Sequence, residues 1–444
     1  MKAGISQKVT WKYLLLFSLP NIASELVIGL HWLVDGFFVS RFIEPIALSA
    51  VGIVIPVFVL GMTMGFMLAI GGNALFAKKL GEGKVREAKE NFTLLVLVTL
   101  LFSAAIAVLG FIFRRPLLYI LGADESIYQM AHDYLIPILI FSPTISLGIV
   151  FMQTFLTEGK PHLATIASVV SGVSSIGLNF LFIYVLQMGL TGAAIATGIG
   201  NTIPCIIGII YFSANRKGSL CFVVPKFDFS AIVQSFANGL SDMIQSLADV
   251  VTRTLVNNVL MRFGGASALA AFGVISAGFD ILIGIPVGYI YGVSAIASYN
   301  YGKGDTENLK GFYSGSLKLV FIVTGLSVAC GFLLIRPLLV IYGIEGGTEI
   351  YELALFGFRL YVIGTILMAY NTFVSVLFIS LNNGALPAAL SFFRTFVFLV
   401  IAYFTLPMFF GLLGAWISMP IAELLAAGMS IYYVRKKRKE YGYA

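Results

Sequence analysis

Three titratable side chains lie on one apolar stretch near the start of the chain, at Glu25, His31 and Asp35. His31 and Asp35 are four residues apart, so they share one face if this stretch is helical. A carboxylate beside an imidazole can take up and release a proton as its access to water changes. Alternatively, Asp35 only holds a neighbouring helix in place. The spacing marks Asp35, with His31 beside it, as a candidate proton site.

A second polar stripe occurs beyond the middle of the chain, where Asp242, Asp249 and Arg253 are separated by seven and four residues. At about 100° per residue, these spacings put the three side chains on one helical face, and Gln245 adjoins them. Such a face must border a cavity or another helix, because lipid would leave its polar groups unsatisfied. Asp249 and Arg253 can also neutralise each other as an ion pair that serves stability alone.

Other ionisable residues within long apolar runs are Asp280, Arg359, Arg394 and Glu423. Ionisable groups are expensive inside a membrane, so each is a candidate for function. Ion pairs between helices explain these four residues as well as contacts with a substrate do.

The sequence lacks the motifs of several enzyme and channel classes. It contains no GxxxxGK[ST] P-loop, no GxSxG, no HExxH and no TVGYG filter, which ATPases, hydrolases, metalloproteases and potassium channels require. Its three cysteines include no CxxC pair, so neither a disulfide framework nor a zinc site is indicated. We therefore expect no enzyme activity, no cofactor and no resident metal.

The elements that carry these residues are predicted to be membrane helices. Of the 444 residues, 59% are hydrophobic and 11% are charged, whereas soluble domains average about 25% charged residues. We therefore expect an all-α polytopic membrane protein in the cell membrane, with a net charge of +7 that reflects loop charge and not nucleic-acid binding. The twelve predicted helices are 13–40, 46–76, 91–113, 130–156, 162–186, 190–213, 231–260, 266–298, 312–334, 350–379, 385–408 and 410–434.

The distribution of lysine and arginine predicts the orientation of these helices. With the N-terminus in the cytoplasm, the inner segments hold 19 of these residues and the outer loops hold five. Cytoplasmic loops of membrane proteins carry the excess of positive charge. Both termini are therefore predicted to be cytoplasmic.

The chain contains an internal duplication. Residues 47–92 align without gaps to 268–313, with ten identities in 46 positions, and GLTGAAIA at 189–196 matches GLLGAWIS at 411–418. Each half then holds six spans, so the two halves are parallel repeats, an architecture of transporters with a substrate cavity between the halves. The expected boundaries are 1–213 for an N-terminal lobe, 214–230 for a cytoplasmic linker, 231–434 for a C-terminal lobe and 435–444 for a basic tail.

Several short motifs occur in a fixed order along nearly the whole chain. They are Ser18-Leu19-Pro20 with Asp35 fifteen residues after the proline, Gly81-x-Gly83, Leu178-Asn179 followed by GLTGAAIAT at 189–197, and GLLGAW at 411–416. Taken together, they resemble those of the multidrug and toxic compound extrusion (MATE) family of the MOP superfamily. Within the family, the chain is most similar to the bacterial MepA/DinF-like branch.

The resemblance implies antiport: organic, cationic or amphipathic compounds leave the cell in exchange for protons or sodium. In the family, an acid of helix 1 acts with an asparagine of helix 5 and a threonine of helix 6, which correspond to Asp35, Asn179 and Thr197, with Asn201 one turn further. Sodium would bind at Asp35, and Pro20 would be the hinge of helix 1. Many relatives have a second acid where this chain has Ile183.

The resemblance also implies a substrate-binding C-terminal lobe, in which some relatives use an acid of helix 7. Here the candidates are Asp242, Asp249, Arg253 and Gln245. The expected partners are a small organic substrate and membrane lipid, and the protein is expected to be a monomer.

Two other transporter classes remain as alternatives. A flippase of lipids or lipid-linked oligosaccharides, from the same superfamily, would need a cationic cavity for phosphate groups, but acids outnumber bases within the predicted spans. A major-facilitator transporter also has six plus six helices, but LGEGKVREAK at 80–89 does not match the loop sequence typical of that class.

Overall fold

The computed structural model describes residues 7–43, 47–121, 123, 125, 127–216, 218–342 and 344–443. Within its helices, it describes the backbone but not the side chains of residues 31–37, 39–41, 48–49, 247–251, 254, 266, 277 and 341. These described residues are almost entirely helical. In chain order the long helices are α1 Trp11–Phe42, α2 Ala47–Gly81, α3 Val85–Ile112, α4 Tyr128–Thr157, α5 Pro161–Asn179, α6 Gly189–Ala214, α7 229–264, α8 266–303, α9 Thr306–Ile341, α10 Glu349–Ser380, α11 Ala385–Phe392 with its continuation to 410, and α12 412–441.

Two glycines divide helices that are otherwise continuous. Gly265, with φ 65° and ψ −165°, separates α7 from α8, and Gly411, with φ 57° and ψ −135°, separates α11 from α12. Only glycine adopts such backbone angles without strain. The chain can therefore reverse direction there without a long loop.

Two of the helices contain π-helical turns. α5 continues as a π-helix over Phe180–Val185, and α11 continues as a π-helix over Phe393–Leu399. π-helical turns are rare and occur frequently at functional sites. Both segments carry or adjoin residues that the sequence marks as functional candidates, Asn179 in the first case and Arg394 in the second.

Ten helices among the described residues are long and apolar enough to cross a membrane. One of these ten, Ala385–Tyr441, contains two of the predicted spans, on either side of Gly411. The prediction of a multi-pass all-α membrane protein is thereby confirmed. α2 and α9 are longer than predicted, because charged residues beyond the apolar runs extend the helices by further turns, as Lys78 and Lys79 do in α2.

The turn that precedes α9 is stabilised by a capping aspartate. The carboxylate of Asp305 accepts the backbone N–H of Asn308 at 3.1 Å. This hydrogen bond, with the neighbouring ammonium of Lys303, lowers the pKa of Asp305. A carboxylate at a helix N-terminus is favourable because it accepts a free backbone N–H group.

The duplication predicted from the sequence extends to the conformation of the turns. Gly83 and Gly304 both have positive φ, of 78° and 71°, and each donates its backbone N–H to the residue three positions before it at 3.1 Å. Gly159 and Asn382 form a second matching pair of turns, with φ of 73° and 59°. Equivalent helix ends with the same left-handed cap indicate a common ancestor for the two repeats.

The described chain forms two compact units by its internal contacts. The first comprises Val27–Met243 with the N-terminal residues up to Gln7, and the second comprises Lys8–Leu26 with Ile244–Ala444. A cluster from α2, α4 and α6 forms an apolar core in the first unit, and one from α7–α12 around Trp416 forms a core in the second. The first half of α1 thus belongs with the second unit, and the first half of α7 with the first.

These two exchanged helix segments make equivalent close contacts. In the first unit, a Cβ on Gly239 would collide with the carbonyl oxygen of Met67. In the second unit, Asn21 donates to the carbonyl oxygen of Gly288 at 2.8 Å, and a Cβ on Gly288 would lie 2.8 Å from the Cα of Ile22. The repeat offset relates Met67 to Gly288. Small residues therefore permit close helix crossings at the same place in both repeats.

Gly239→Ala should destabilise the protein, because the new methyl group has no space beside the Met67 carbonyl. Overpacking of this kind costs about 1–3 kcal/mol. The check is thermal unfolding of the detergent-solubilised protein, in which the variant should unfold at a lower temperature than the wild type.

Gly284→Ala is the matched control for this substitution. Its Cβ would lie 3.6 Å from the nearest atom of Glu25, an ordinary contact, and alanine is the better helix former. Equal unfolding temperatures for the two variants would contradict the close crossing at Gly239.

Candidate functional site

Pro20 lies inside α1, where it removes one backbone hydrogen bond of the helix. Ser18 donates its hydroxyl to the carbonyl oxygen of Leu15 at 2.9 Å, and Ser24 donates to the carbonyl oxygen of Pro20 at 3.0 Å. Serine side chains thus satisfy carbonyl groups on both sides of the proline. This part of α1 has fewer backbone restraints than a regular helix, which suits a hinge.

Of the two acids of α1, the structure describes the side chain of Glu25 but not that of Asp35. Glu25 is half-buried and lies against α8, within 3.1 Å of where a Cβ on Gly288 would be. The side chains of His31 and Asp35 lie outside the described residues, although α1 extends through both positions. The carboxylate–imidazole pair therefore stays a prediction.

α5 and α6 place Asn179 and Thr197 at the same level of the membrane. The two helices pack together where a Cβ on Gly200 would lie 2.8 Å from the Cβ of Ser175, and again where one on Gly192 would lie 3.1 Å from the Cβ of Phe182. Asn179 and Thr197 lie between these contacts along antiparallel helices. Both side chains are buried, at 1% and 5% exposure.

Further polar side chains near Asn179 and Thr197 donate hydrogen bonds to backbone carbonyl groups of α6. Asn201 donates its side-chain amide to the carbonyl oxygen of Thr197 at 2.9 Å. Ser171 donates its hydroxyl to the carbonyl oxygen of Gly200 at 2.7 Å. Ile183, where many MATE relatives have a second acid, is 3% exposed within the apolar core of the first unit. A carboxylate at this position would be surrounded by apolar side chains, where its charge would be costly.

The polar stripe of α7 is divided between the two units. Asp242 is buried in the first unit, with the Ser241 hydroxyl 3.5 Å from its carboxylate. Gln245 and Arg253 belong to the second unit, and the side chain of Asp249 lies outside the described residues. Arg253 forms an ion pair with Asp280 of α8 at 3.0 Å. The spacing of residues within α7 does not predict this contact, because Asp280 lies on another helix.

The second unit contains a cavity of about 170 Å³ between α7, α8, α10, α11 and α12. We call it the C-lobe cavity. The residues that line it are Gln245, Thr252, Arg253, Val256, Phe272, Ser276, Phe279, Asp280, Ile283, Tyr361, Met368, Arg394, Thr395, Leu399, Met419 and Glu423. Aromatic rings and flexible methionines therefore share this cavity with two ion pairs, a lining that suits amphipathic ligands.

One of these ion pairs is buried, and both oxygens of its carboxylate accept hydrogen bonds. Arg394 donates from Nε to Oε1 of Glu423 at 2.8 Å, and their side chains are 9% and 7% exposed. Asn371 donates to Oε2 of the same carboxylate at 2.8 Å, and Ser430 donates to Asn371 at 2.9 Å. A buried ion pair offsets its desolvation cost only when its remaining polar atoms are also bonded.

Arg394 and Glu423 are recognisable in the sequence as ionisable residues within apolar runs, but not as a pair. They lie on different helices, 29 residues apart, so no helical periodicity relates them. The usable signal was the presence of opposite charges on two consecutive spans of one lobe. Arg359, which the sequence placed with them, is exposed, and no metal-binding cluster occurs among the residues that the structure describes.

The chain also matches known proteins over almost its full length. It is 23% identical over 439 residues to the protein named multidrug export protein MepA of Staphylococcus haemolyticus, and 22% identical over 435 residues to the protein of the same name from Staphylococcus saprophyticus. In both cases the alignment covers 96% of this chain and 94% of the relative.

The fold is that of solved MATE structures. A structure described as the outward-facing conformation of a multidrug resistance MATE family transporter of the MOP superfamily matches with a TM-score of 0.91 at 22% identity, over 98% of each chain. A MOP superfamily transporter from Pyrococcus furiosus, described as having a binding pocket of reverse polarity, matches with a TM-score of 0.90 at 21% identity, over 98% of this chain and 97% of that one.

The model of the MatE family matches this sequence in two segments, residues 20–185 and 241–404. Together these segments cover most of both repeats, and each lies within one half of the duplication. MatE proteins are membrane transporters and not enzymes. The chain belongs to the MatE family.

Proposed function

We propose that this protein exports organic, cationic or amphipathic compounds from the cell in exchange for protons or sodium. The observation that carries the proposal is the match to two proteins named multidrug export protein MepA, over 96% of this chain and 94% of each relative. The cavity lined by Phe272, Phe279, Met368 and Met419 supports the amphipathic class of substrate.

The proposed coupling site is in the N-terminal lobe. Asp35 supplies a carboxylate, while Asn179 and Thr197 supply oxygen atoms from the level where α5 and α6 pack together. Oxygen ligands suit sodium, and a carboxylate alone suits a proton. His31, one helical turn before Asp35, would favour the ionised carboxylate when it is itself protonated.

One coupling ion supplies enough free energy for useful export. An ion that crosses about 100 mV releases about 2.3 kcal/mol, and each pH unit adds about 1.4 kcal/mol. Each tenfold substrate gradient costs about 1.4 kcal/mol. One proton can therefore sustain roughly a hundredfold gradient of a substrate without net charge.

The mechanism is alternating access controlled by α1. The ion drives transport only if it binds the outward-open and inward-open states with different affinity. Pro20 and the serines beside it give α1 a place to bend, and ion binding at Asp35 would favour one of the two shapes. Both termini lie in the cytoplasm in this proposal, and the protein acts in the cell membrane as a monomer surrounded by lipid.

A flippase for lipids or lipid-linked oligosaccharides is less well supported. Its phosphate groups would need a surplus of basic side chains in the cavity. In the C-lobe cavity, Arg253 is paired with Asp280 and Arg394 with Glu423. The two bases of this cavity are thus balanced by two acids.

Asp35→Asn should lower export by at least about tenfold, which corresponds to about 1.4 kcal/mol, because asparagine keeps the shape but cannot change charge. The measurement is the initial rate of substrate efflux from proteoliposomes with an imposed ion gradient. Asp133→Asn, an exposed acid of α4 beside His132, is the control and should transport at the wild-type rate. Wild-type export by Asp35→Asn would remove Asp35 from the mechanism.

The coupling ion is identified by imposing one gradient at a time. If protons are coupled, a pH gradient alone drives efflux and a sodium gradient alone does not, and the converse holds for sodium. Asp35→Glu should retain the response to the same ion at a lower rate, since it keeps the titratable group. Equal efflux with neither gradient would indicate a facilitator or channel and contradict antiport.

A further inference from the structure

The C-lobe cavity is lined by polar side chains that retain hydrogen-bonding capacity within the described part of the chain. Arg394 uses Nε for Glu423 and Nη1 for Thr372, at 2.8 and 3.4 Å. Its other terminal nitrogen, Nη2, has no hydrogen-bond partner among the described residues, although the residue is only 8% exposed and lines the cavity. Gln245 and Thr395 also line the cavity without a side-chain partner in the described part of the chain. Arg394 is buried while Gln245 and Thr395 are partly buried, and donors that line a cavity in this way can bond an acceptor on a ligand.

The charges around the cavity determine which acceptor fits. Glu423 already neutralises Arg394, and Asp280 already neutralises Arg253. The Arg394–Glu423 pair is buried, whereas the Arg253–Asp280 pair is exposed. A charged group placed against Arg394 would therefore leave an uncompensated charge at the buried end of the cavity, which is costly. An uncharged carbonyl oxygen can accept from Arg394 without this cost. Gln245 and Thr395 can then bond an adjacent amide group.

The size and walls of the cavity determine the rest of the ligand. Its volume is about 170 Å³, and an engineered apolar cavity of about 150 Å³ holds one benzene molecule. Phe272, Phe279 and Tyr361 line it with aromatic surface, which favours an edge-to-face contact with another ring. One aromatic ring with a small polar substituent therefore fills this space.

We propose that the C-lobe cavity binds an uncharged aromatic amide or carbonyl group, either as a small molecule or as the head of a larger amphipathic compound, with Arg394 as the donor to its carbonyl oxygen. Arg394 and Thr395 lie in the π-helical turn Phe393–Leu399, and this turn presents both side chains to the same cavity. The conclusion that such compounds are substrates rests on the proposed export function. Their binding to the cavity is measured separately, without transport.

The experiment titrates purified protein in detergent with benzamide, with cumene and with benzoate. Cumene has nearly the same shape as benzamide but no acceptor, and benzoate has an acceptor and a net charge. The reporter is the fluorescence of Trp416, whose ring lies 6.4 Å from that of Phe272 in the cavity wall; Trp11→Phe and Trp32→Phe remove the other two tryptophans. Equilibrium dialysis with radiolabelled benzamide is the second measurement.

Arg394→Gln with Glu423→Gln replaces the ion pair by two amides and leaves no unpaired buried charge. Benzamide should bind about tenfold more weakly to this double variant, as expected for the loss of a hydrogen bond to a charged group, while cumene should bind as before. Benzoate should bind the protein with the intact Arg394–Glu423 pair more weakly than benzamide does. Equal losses for benzamide and cumene, or tighter binding of benzoate, would overturn the proposal.

Ser276→Leu tests the cavity while both ion pairs remain. The larger side chain should abolish binding of benzamide and cumene alike, whereas Gly273→Leu, one turn earlier on α8 and in open space, should leave both affinities unchanged. Binding that survives Ser276→Leu would show partition into detergent and contradict the site. A failure of ion-driven export in proteoliposomes would contradict the export function and leave these binding results standing.

Discussion

Every polar group within the hydrocarbon layer must find a partner inside the protein, and this constraint accounts for most features of the fold. The backbone satisfies it by forming helices. Threonine and serine hydroxyls satisfy it by donating to carbonyl groups one turn earlier, as Thr63, Thr99 and Ser103 do. The helix interruptions at Gly265 and Gly411 occur at residues that alone tolerate the necessary angles.

The same constraint makes the buried charges informative. Glu423 has both carboxylate oxygens occupied, by Arg394 and Asn371, and its network continues to Ser430. Such a network fixes the relative positions of α10, α11 and α12. Removal of one member would leave a buried charge or dipole without a partner. This destabilises the protein more than replacing the whole network by apolar side chains would. The network therefore holds the cavity wall that carries Thr395.

Much of the fold could be predicted from the sequence, because hydropathy and duplication are local or strongly periodic signals. The charge-free runs predicted the helices, and the matching glycines at 83 and 304 indicated the repeat. The positive φ that these two glycines share confirms that their turns are equivalent. Pairings between helices could not be predicted. The partner of Arg253 is Asp280, 27 residues away, and the partner of Arg394 is Glu423. The packing of α11 against α12 determines the second pair, and one sequence contains no signal for that packing.

The candidate coupling site was predictable only as far as its residue types. Asn179 and Thr197 were identified through the family motif, and the contacts at Gly192 and Gly200 explain why these two positions lie level. The π-helical turn that begins directly after Asn179 was not predictable. Its wider spacing changes the register of α5, so helical spacing alone would misplace every residue beyond it.

The two repeats have diverged in the partners of the acids within their spans. In the C-terminal half, Asp280 and Glu423 each have an arginine partner within 3.0 Å. A carboxylate held in this way is a poor carrier of a coupling ion, since binding the ion would require breaking the pair. In the N-terminal half, residues 161–215 contain no lysine or arginine at all, and α5 and α6 offer amide and hydroxyl oxygens instead. An acid of α1 that meets these groups can exchange an ion without losing an ion pair. Divergence after the duplication therefore supports the proposed assignment of ion coupling to the N-terminal half and of ligand recognition to the C-terminal half.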